Sequence, residues 1–482
     1  MQQLSMTDTF MLAAETDKQK LQMASVSILA PPAGGRGLTR RRLQDLIAMR
    51  IHAAPILRRR LMAVPLGLDF PYWIDTHDLD LDYHVRDHQL ASPGGDHELA
   101  EVVGQIVSEP FDHAHPLWQL HLIGRLEGNR SALVFKLHHA CVDGIAGLEL
   151  HTVVFDPSPK VRKLSPVAGA SNLKPPPHLT MLARGVKSLP SQMVRAVIGG
   201  ARSLRYLDQL MPFRVTPGVQ TIASAARRVT SLLQAEGERM LVEGHGLTVP
   251  KTAFDTPVTG TRRWAFARLP LDEARRVKDH FGVTLNDVIV ATMAGAIRSW
   301  LLESGELPDE PLVAVVPISV RHQDSAVGGN EVQIMLINLP TDEPDPQKRL
   351  IRTSEALRSA KERHNAVPAA AMRGADELLM PALFIHASRA AMLLTGLKGS
   401  IANVVISNVP GPRTPVYVAG TKVEALLPVG GLISGFGLST IAFSYCDGLE
   451  FGFVVDESCP IDPWRLADAC TRERRELLSL LS

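Results

Sequence analysis

Between Ser165 and Arg228 the chain loses the patterning that marks a packed core. Ser165 to His178 holds Pro166, Pro175, Pro176 and Pro177 with almost no periodicity, as an irregular connection does. From Lys174 to Arg228 nine basic side chains stand against a single acid, Asp208. Within that stretch Leu182, Val186, Leu189 and Met193 begin a series at roughly helical spacing. A chain of 482 residues exceeds what one core of ordinary size holds, so the interruption divides it in two. The expected organisation is a first half at 1–165, a Pro-rich linker with basic amphipathic helices at 166–253, and a second half at 254–482.

Both halves mix strand and helix patterns, so the expected class is α/β. In the first, Leu99 to Ile106 has helical spacing, and Leu117 to Ile123 and Ala132 to His139 read as strands. In the second, Thr259 to Leu271 reads as a strand leading into a helix. Leu285 to Leu302 reads as a helix with Asn286 and Asp287 at its start. Leu312 to Val320 and Val404 to Asn408 are predicted buried strands, and Asp447-Gly448 between two apolar runs predicts a hairpin.

Composition narrows the partners. With a net charge of +1, no overall field draws the chain to nucleic acid. The four cysteines form no C-x-x-C pair, so neither a zinc site nor a disulfide framework is expected, and a reduced, cytoplasmic compartment fits. Met1 to Gln19 lacks a secretion-signal pattern. No run of about 18 uninterrupted apolar residues is present, so lipid contact, if any, is expected to be peripheral.

The chemistry concentrates in His138-His139-Ala140-Cys141-Val142-Asp143-Gly144. Strand alternation puts His139 on the face of Leu133, Phe135 and Leu137, and His138 on the face of Lys136. In a dry cleft at a strand end, desolvation favours a neutral imidazole. Such a ring takes a proton from a hydroxyl near neutral pH and typically contributes about 10²–10⁴-fold in rate. Asp143 either orients that ring or pairs with an arginine elsewhere. The second role is preferred, with Gly144 permitting a tight backbone after the turn. Periodicity by itself reads the pair as a packed histidine beside an exposed one. Adjacent strand histidines point to opposite faces, which argues against a metal held by His138, His139 and Asp143.

The segment from His138 to Gly144 resembles the HHxxxDG motif of CoA-dependent acyltransferases, and its surroundings resemble the bacterial wax ester synthase/diacylglycerol acyltransferase family. Similar to that family are Leu4-Ser5-Met6-Thr7-Asp8 with Phe10, Pro65-Leu66-Gly67, Trp73, and Asp80 through Arg86. So are Pro110-Phe111-Asp112, Pro116-Leu117-Trp118, Asn286-Asp287, Pro317 through Arg321, Gly329-Asn330 and Ser407 through Pro412. Met6-Thr7 departs from the family's usual Pro-x at that point.

The resemblance implies two chloramphenicol-acetyltransferase-like domains with a tunnel between them. It implies that His139 is the general base for attack of an acceptor hydroxyl on a fatty acyl-CoA thioester. The acceptor would be diacylglycerol or a long-chain alcohol, with no cofactor. The oxyanion of such a reaction needs preorganised donors, and one donor is worth about 10²–10³-fold. Asn286 is the first candidate, though asparagine at a helix start also reads as a cap. Ser319 and Ser407 are weaker candidates. Arg321 and Asp287 are read as structural support, Arg321 as a partner for Asp143. Pro410 and Pro412 read as a stiff turn at a crossover between the halves.

Two alternatives are distinguishable. One is a condensation-type enzyme taking its acyl group from a carrier protein. The other is a catalytically silent protein bound to lipid inclusions, which the intact His139 and Asp143 disfavour. A serine hydrolase is excluded because Gly431-Leu-Ile-Ser434-Gly435 has the wrong spacing for a nucleophile elbow. The basic stretch at 174–228 suits an anionic lipid surface, placing the protein on the inner face of the cell membrane or on lipid inclusions.

Overall fold

Apolar strands from both sides of the linker gather into two six-stranded mixed sheets among the described residues. The computed structural model describes residues 1–31, 37–76, 79–141, 152–165, 176–203, 249–320, 331–365, 381, 384–385 and 402–481. The first half runs through β1 (Gln2–Gln3), α1 (Met6–Ala13), β2 (Gln22–Leu29), α2 (Arg40–Arg50), β3 (Arg59–Met62), β4 (Tyr72–Asp75) and α3 (Leu81–His84). It continues with β5 (Val85–Gln89), α4 (Asp96–Ser108), β6 (Trp118–Leu126) and β7 (Arg130–His138). α5 (His178–Ser203) is the described helix of the linker. The second half adds β8 (Arg262–Pro270), α6 (Leu271–Phe281), α7 (Leu285–Glu303), β9 (Leu312–Val320), β10 (Glu331–Leu339) and α8 (Pro346–Asn365). It ends with β11 (Val404–Pro410), β12 (Tyr417–Val418), β13 (Thr421–Val429), β14 (Leu438–Tyr445), β15 (Gly448–Asp456) and α9 (Pro463–Ser479).

The sheets do not follow the division of the sequence. One has the order β12-β13-β2-β7-β6-β5 and the other β10-β9-β11-β14-β15-β8. The chain leaves the second sheet at Pro410 and enters the first at Tyr417, so a strand of the second half pairs antiparallel with β2. Gly411 permits the exit: a Cβ there would lie 2.2 Å from the Ser444 carbonyl oxygen. The returning strand also packs on the second sheet. The Trp264 indole N–H of β8 donates to the Pro428 carbonyl at 3.0 Å.

That contact lies in a core shared by both halves. Val26, Ile28, Leu99 and Val134 of the first half pack there with Trp264, Phe266 and Val454 of the second. A second core under β6 and β7 holds Leu120, Leu133 and Phe135, and a third surrounds α7. α7 is long and apolar enough to cross a membrane, but it is mostly buried as the central helix of the second half. Buried ion pairs tie the ends of elements: Arg50 to Asp156, Arg262 to Asp456 and Arg349 to Glu473, each at 2.7 Å.

The hairpin expected at Asp447-Gly448 forms between β14 and β15, with its turn one residue earlier. Tyr445 pairs with Gly448, so Cys446 and Asp447 make the loop, and Cys446 takes the left-handed backbone at φ 51°.

Candidate active site

β7 delivers the histidine pair. Both faces of this strand are buried, Leu133 and Phe135 toward one core and Ala132 and Val134 toward the other. The strand ends at His138, and His139 opens a 3-10 turn that runs to Cys141. The direction of the His139 ring is therefore set by the turn and not by the pleat, which is where alternation alone stops being a guide. Three hydrogen bonds and a buried apolar cluster hold the turn. The His138 N–H donates to Leu117 O at 3.0 Å and the His139 N–H to Leu21 O at 2.9 Å. The Ala140 N–H donates to His138 Nδ1 at 3.1 Å. Ala140 and Cys141 are buried with Leu4, Trp73, Phe111 and Leu117.

The opening segment of the chain backs this turn. Ser5 caps α1 by accepting the Asp8 N–H at 3.0 Å, and α1 packs against His139–Cys141. The Pro116-Leu117-Trp118 segment is structural, as its residue types imply. The Trp118 indole donates to Leu57 O at 2.7 Å, and its backbone carbonyl lies 2.7 Å from Nδ1 of the stacked His84.

The two histidines differ sharply in environment. His138 is fully buried, whereas His139 is exposed. Burial nevertheless pushes the His139 pKa below the ordinary histidine value, with His138 adding a smaller push in the same direction. Such a ring is neutral near pH 7 and available as a base.

Glu15, which no sequence pattern marks, lies behind the pair. One carboxylate oxygen is 3.1 Å from His113 Nε2 and 3.5 Å from His138 Nε2. Burial alone would raise the pKa of this carboxyl, but the hydrogen bond to His113 and the nearby His138 ring hold it down at about 2. His113 is pushed up by the same hydrogen bond. Further along the His138 face lies Lys136, pushed down to about 7 by burial. Its ammonium donates to Glu109 O at 2.6 Å and sits 4.6 Å over the Phe111 ring.

In the second half the cap of α7 is Thr284, not Asn286. Thr284 Oγ1 accepts the Asp287 N–H at 3.2 Å, and Asp287 returns the bond from the Thr284 N–H at 2.8 Å. Asp287 also accepts from Ser354 at 2.9 Å, so its role is structural. Freed from capping, Asn286 accepts through Oδ1 from Asn408 Nδ2 at 3.2 Å. Ser407 alternates with Ile406 and Asn408 along β11 and so faces away from α7. Asn286 and Ser407 are thus on different sides of the sheet. Ser319 lies in β9 opposite Val332. Asp143, Gly144 and Arg321 lie outside the described residues, as does the linker from 204 to 248.

Comparison with known proteins bears on the family and the fold. The profile of the wax ester synthase/diacylglycerol acyltransferase catalytic domain matches residues 4–289, and that of the WS/DGAT C-terminal domain matches 328–477. A Mycobacterium tuberculosis protein assigned by name as a diacylglycerol O-acyltransferase is 32% identical over 482 residues, covering 99% of this chain and 90% of its own. Another from that species is 33% identical over 455 residues, covering 94% of each. Among solved structures, the wax ester synthase/diacylglycerol acyltransferase of Marinobacter aquaeolei VT8 superposes with a TM-score of 0.67 at 25% identity. That match covers 99% of this chain and 98% of the other. The first condensation domain of the calcium-dependent antibiotic synthetase shares the fold, with a TM-score of 0.54 at 15% identity, covering 99% and 95%.

Proposed function

Because the chain belongs to the wax ester synthase/diacylglycerol acyltransferase family, we propose that His139 is the general base of its acyl transfer. The protein is an O-acyltransferase that moves an acyl group from acyl-CoA to the hydroxyl of diacylglycerol or of a fatty alcohol. The neutral ring of His139 accepts the acceptor's hydroxyl proton as its oxygen bonds to the thioester carbonyl carbon. The tetrahedral oxyanion then collapses with cleavage of the C–S bond. The imidazolium returns its proton to the leaving thiolate, giving CoA and the ester. Acceptor and donor approach through a channel between the halves, and Asn286 donates to the oxyanion.

One observation carries this reading: His139 is accessible at the end of β7, while its neighbour His138 is fully packed. The test is CoA release from palmitoyl-CoA with a diacylglycerol or with hexadecanol as acceptor. His139→Ala is expected to abolish release, and near-normal turnover in that variant removes the base from the mechanism. The identity of the neutral lipid formed assigns the acceptor.

The protein also works on a lipid surface in this reading, and α5 supports it. The helix docks through Met181, Gly185 and Gln192, and a Cβ at Gly185 would lie 2.9 Å from Val64. Its opposite face leaves Leu179 79%, Val186 53% and Met193 58% exposed, with Lys187 beside them. An apolar stripe flanked by cations suits an anionic bilayer or inclusion surface. Replacing Leu179, Val186 and Met193 together by serine is expected to release the protein from anionic liposomes in flotation. Unchanged binding discards this surface.

A further inference from the structure

The loop from Glu15 to Leu21 holds both histidines of the pair by its two ends. At one end the Leu21 carbonyl accepts the His139 N–H at 2.9 Å. At the other the Glu15 carboxylate faces His138 Nε2 at 3.5 Å. Between them the buried Gln19 donates to Ala14 O at 2.7 Å and accepts the Ser434 N–H, from the second half, at 2.7 Å. Lys20 donates to Ser108 O and to Gly260 O, the latter at 3.2 Å. The loop is thus fixed against both halves of the molecule and cannot drift from the turn it grips.

The bond at His138 Nδ1 defines the tautomer of a neutral ring. Its Nδ1 accepts the Ala140 N–H at 3.1 Å and therefore carries no proton. In a neutral ring the proton is then on Nε2, which faces the Glu15 carboxylate at 3.5 Å without a hydrogen bond. His113, 3.1 Å from the same carboxylate oxygen, is the partly exposed neighbour able to carry the balancing positive charge. A charged His138 would lose the Ala140 bond, because both its ring nitrogens would then be donors.

We propose that Glu15 is a positioning residue for the reaction: by fixing the Nε2-protonated tautomer of His138, it fixes the turn that aims His139. The chain of contacts is Glu15 to His138 Nε2, His138 Nδ1 to the Ala140 N–H, and from that peptide to the adjoining His139. Glu15 touches neither substrate nor the reacting atoms. This inference rests on the reading of His139 as the base. A base displaced by about 1 Å can lose about 10²-fold in rate, so a residue one step removed has a measurable effect.

The test compares Glu15→Gln and Glu15→Ala in the full chain, each in the native and the His139→Ala backgrounds. Glu15→Gln, which keeps the shape, is expected to lower kcat about 10-fold, and Glu15→Ala about 10²-fold, with KM for acyl-CoA within about twofold. In the His139→Ala background the same changes are expected to alter the residual rate by less than about twofold, because the group through which Glu15 acts is gone. Nitrogen-15 spectra of labelled histidine, with His138 assigned by substitution, are expected to show Nε2 protonation in the native enzyme and a tautomer mixture in Glu15→Ala. Equal losses in both backgrounds, or an unchanged His138 tautomer, overturn the proposal. Near-normal turnover of His139→Ala overturns the base reading instead, and the spectra then report the Glu15–His138 contact on its own.

Discussion

Asn408 of β11 donates to the side-chain oxygen of Asn286, at the first turn of α7, across 3.2 Å. The bond turns the Asn286 amide nitrogen away from Asn408 and leaves it free to donate elsewhere. Because Thr284 and Asp287 cap the helix without it, removing Asn286 separates catalysis from folding. Asn286→Ala is expected to lower kcat about 10²–10³-fold while urea unfolding stays within about 1 kcal/mol of the native protein. Asn408→Ala is expected to have the same sign and a smaller size. A full-rate Asn286→Ala enzyme removes this residue from the oxyanion site.

The acid limb of activity should lie lower than an ordinary histidine predicts. The base works unprotonated, and burial lowers the His139 pKa. The ring therefore stays unprotonated as pH falls through about 6.5, the usual imidazole value. The kcat/KM profile is expected to keep its plateau at that pH and to fall only below it. A limb centred above about 6.5 would mean that desolvation does not govern this ring.

Glu450 offers a stability test away from the reaction. It is 5% exposed in β15, and its carboxylate is 3.9 Å from Arg268 Nε. Burial pushes its pKa up from 4.5 to about 7, against a smaller opposing pull from Arg268. A raised carboxyl pKa favours the folded state below the unfolded value, and that contribution is lost as pH rises through the folded one. Glu450→Gln is therefore expected to stabilise the protein by about 1–3 kcal/mol at pH 8 and to make no difference below about pH 4.5. Thermal unfolding at the two pH values measures both.

Gly452 marks the closest approach of the crossing strand to the second sheet. A Cβ at this position would lie 1.9 Å from the Pro428 carbonyl oxygen, the acceptor of the Trp264 indole. Backbone cannot yield there without parting β13 from β15. Gly452→Ala is expected to cost about 3 kcal/mol or more, read from the urea midpoint. A native-like midpoint would mean that the two layers separate easily.

Much of this molecule is legible where its causes are local. β9 occupies its predicted span, and α7 agrees to within a residue, because a run of apolar residues at a fixed period decides each. The capping pair Thr284 and Asp287 is also written in the sequence, as a threonine followed three places later by an acid, which leaves Asn286 uninvolved in the cap. The strand leading to His139 could be read, but not the 3-10 turn after His138 that sets the direction of its ring. That turn is held by Leu21 and Leu117, which are distant in sequence. Nor does any local pattern tell β13 which sheet to join. Thr421–Val429 is an apolar strand that suits either, and the choice is made by β2 and by the space left at Gly452.

The crossing of β13 also orders events on the ribosome. β2 has β7 on one side, and its other edge stays bare until Thr421–Val429 has been synthesised. Through most of translation, then, the sheet that carries His138 has an open, apolar border able to pair with a neighbouring nascent chain. The halves cannot mature one after the other. The catalytic sheet is completed by nearly the last strand made, so a truncated product lacking that strand is left with a sticky edge in place of a finished site.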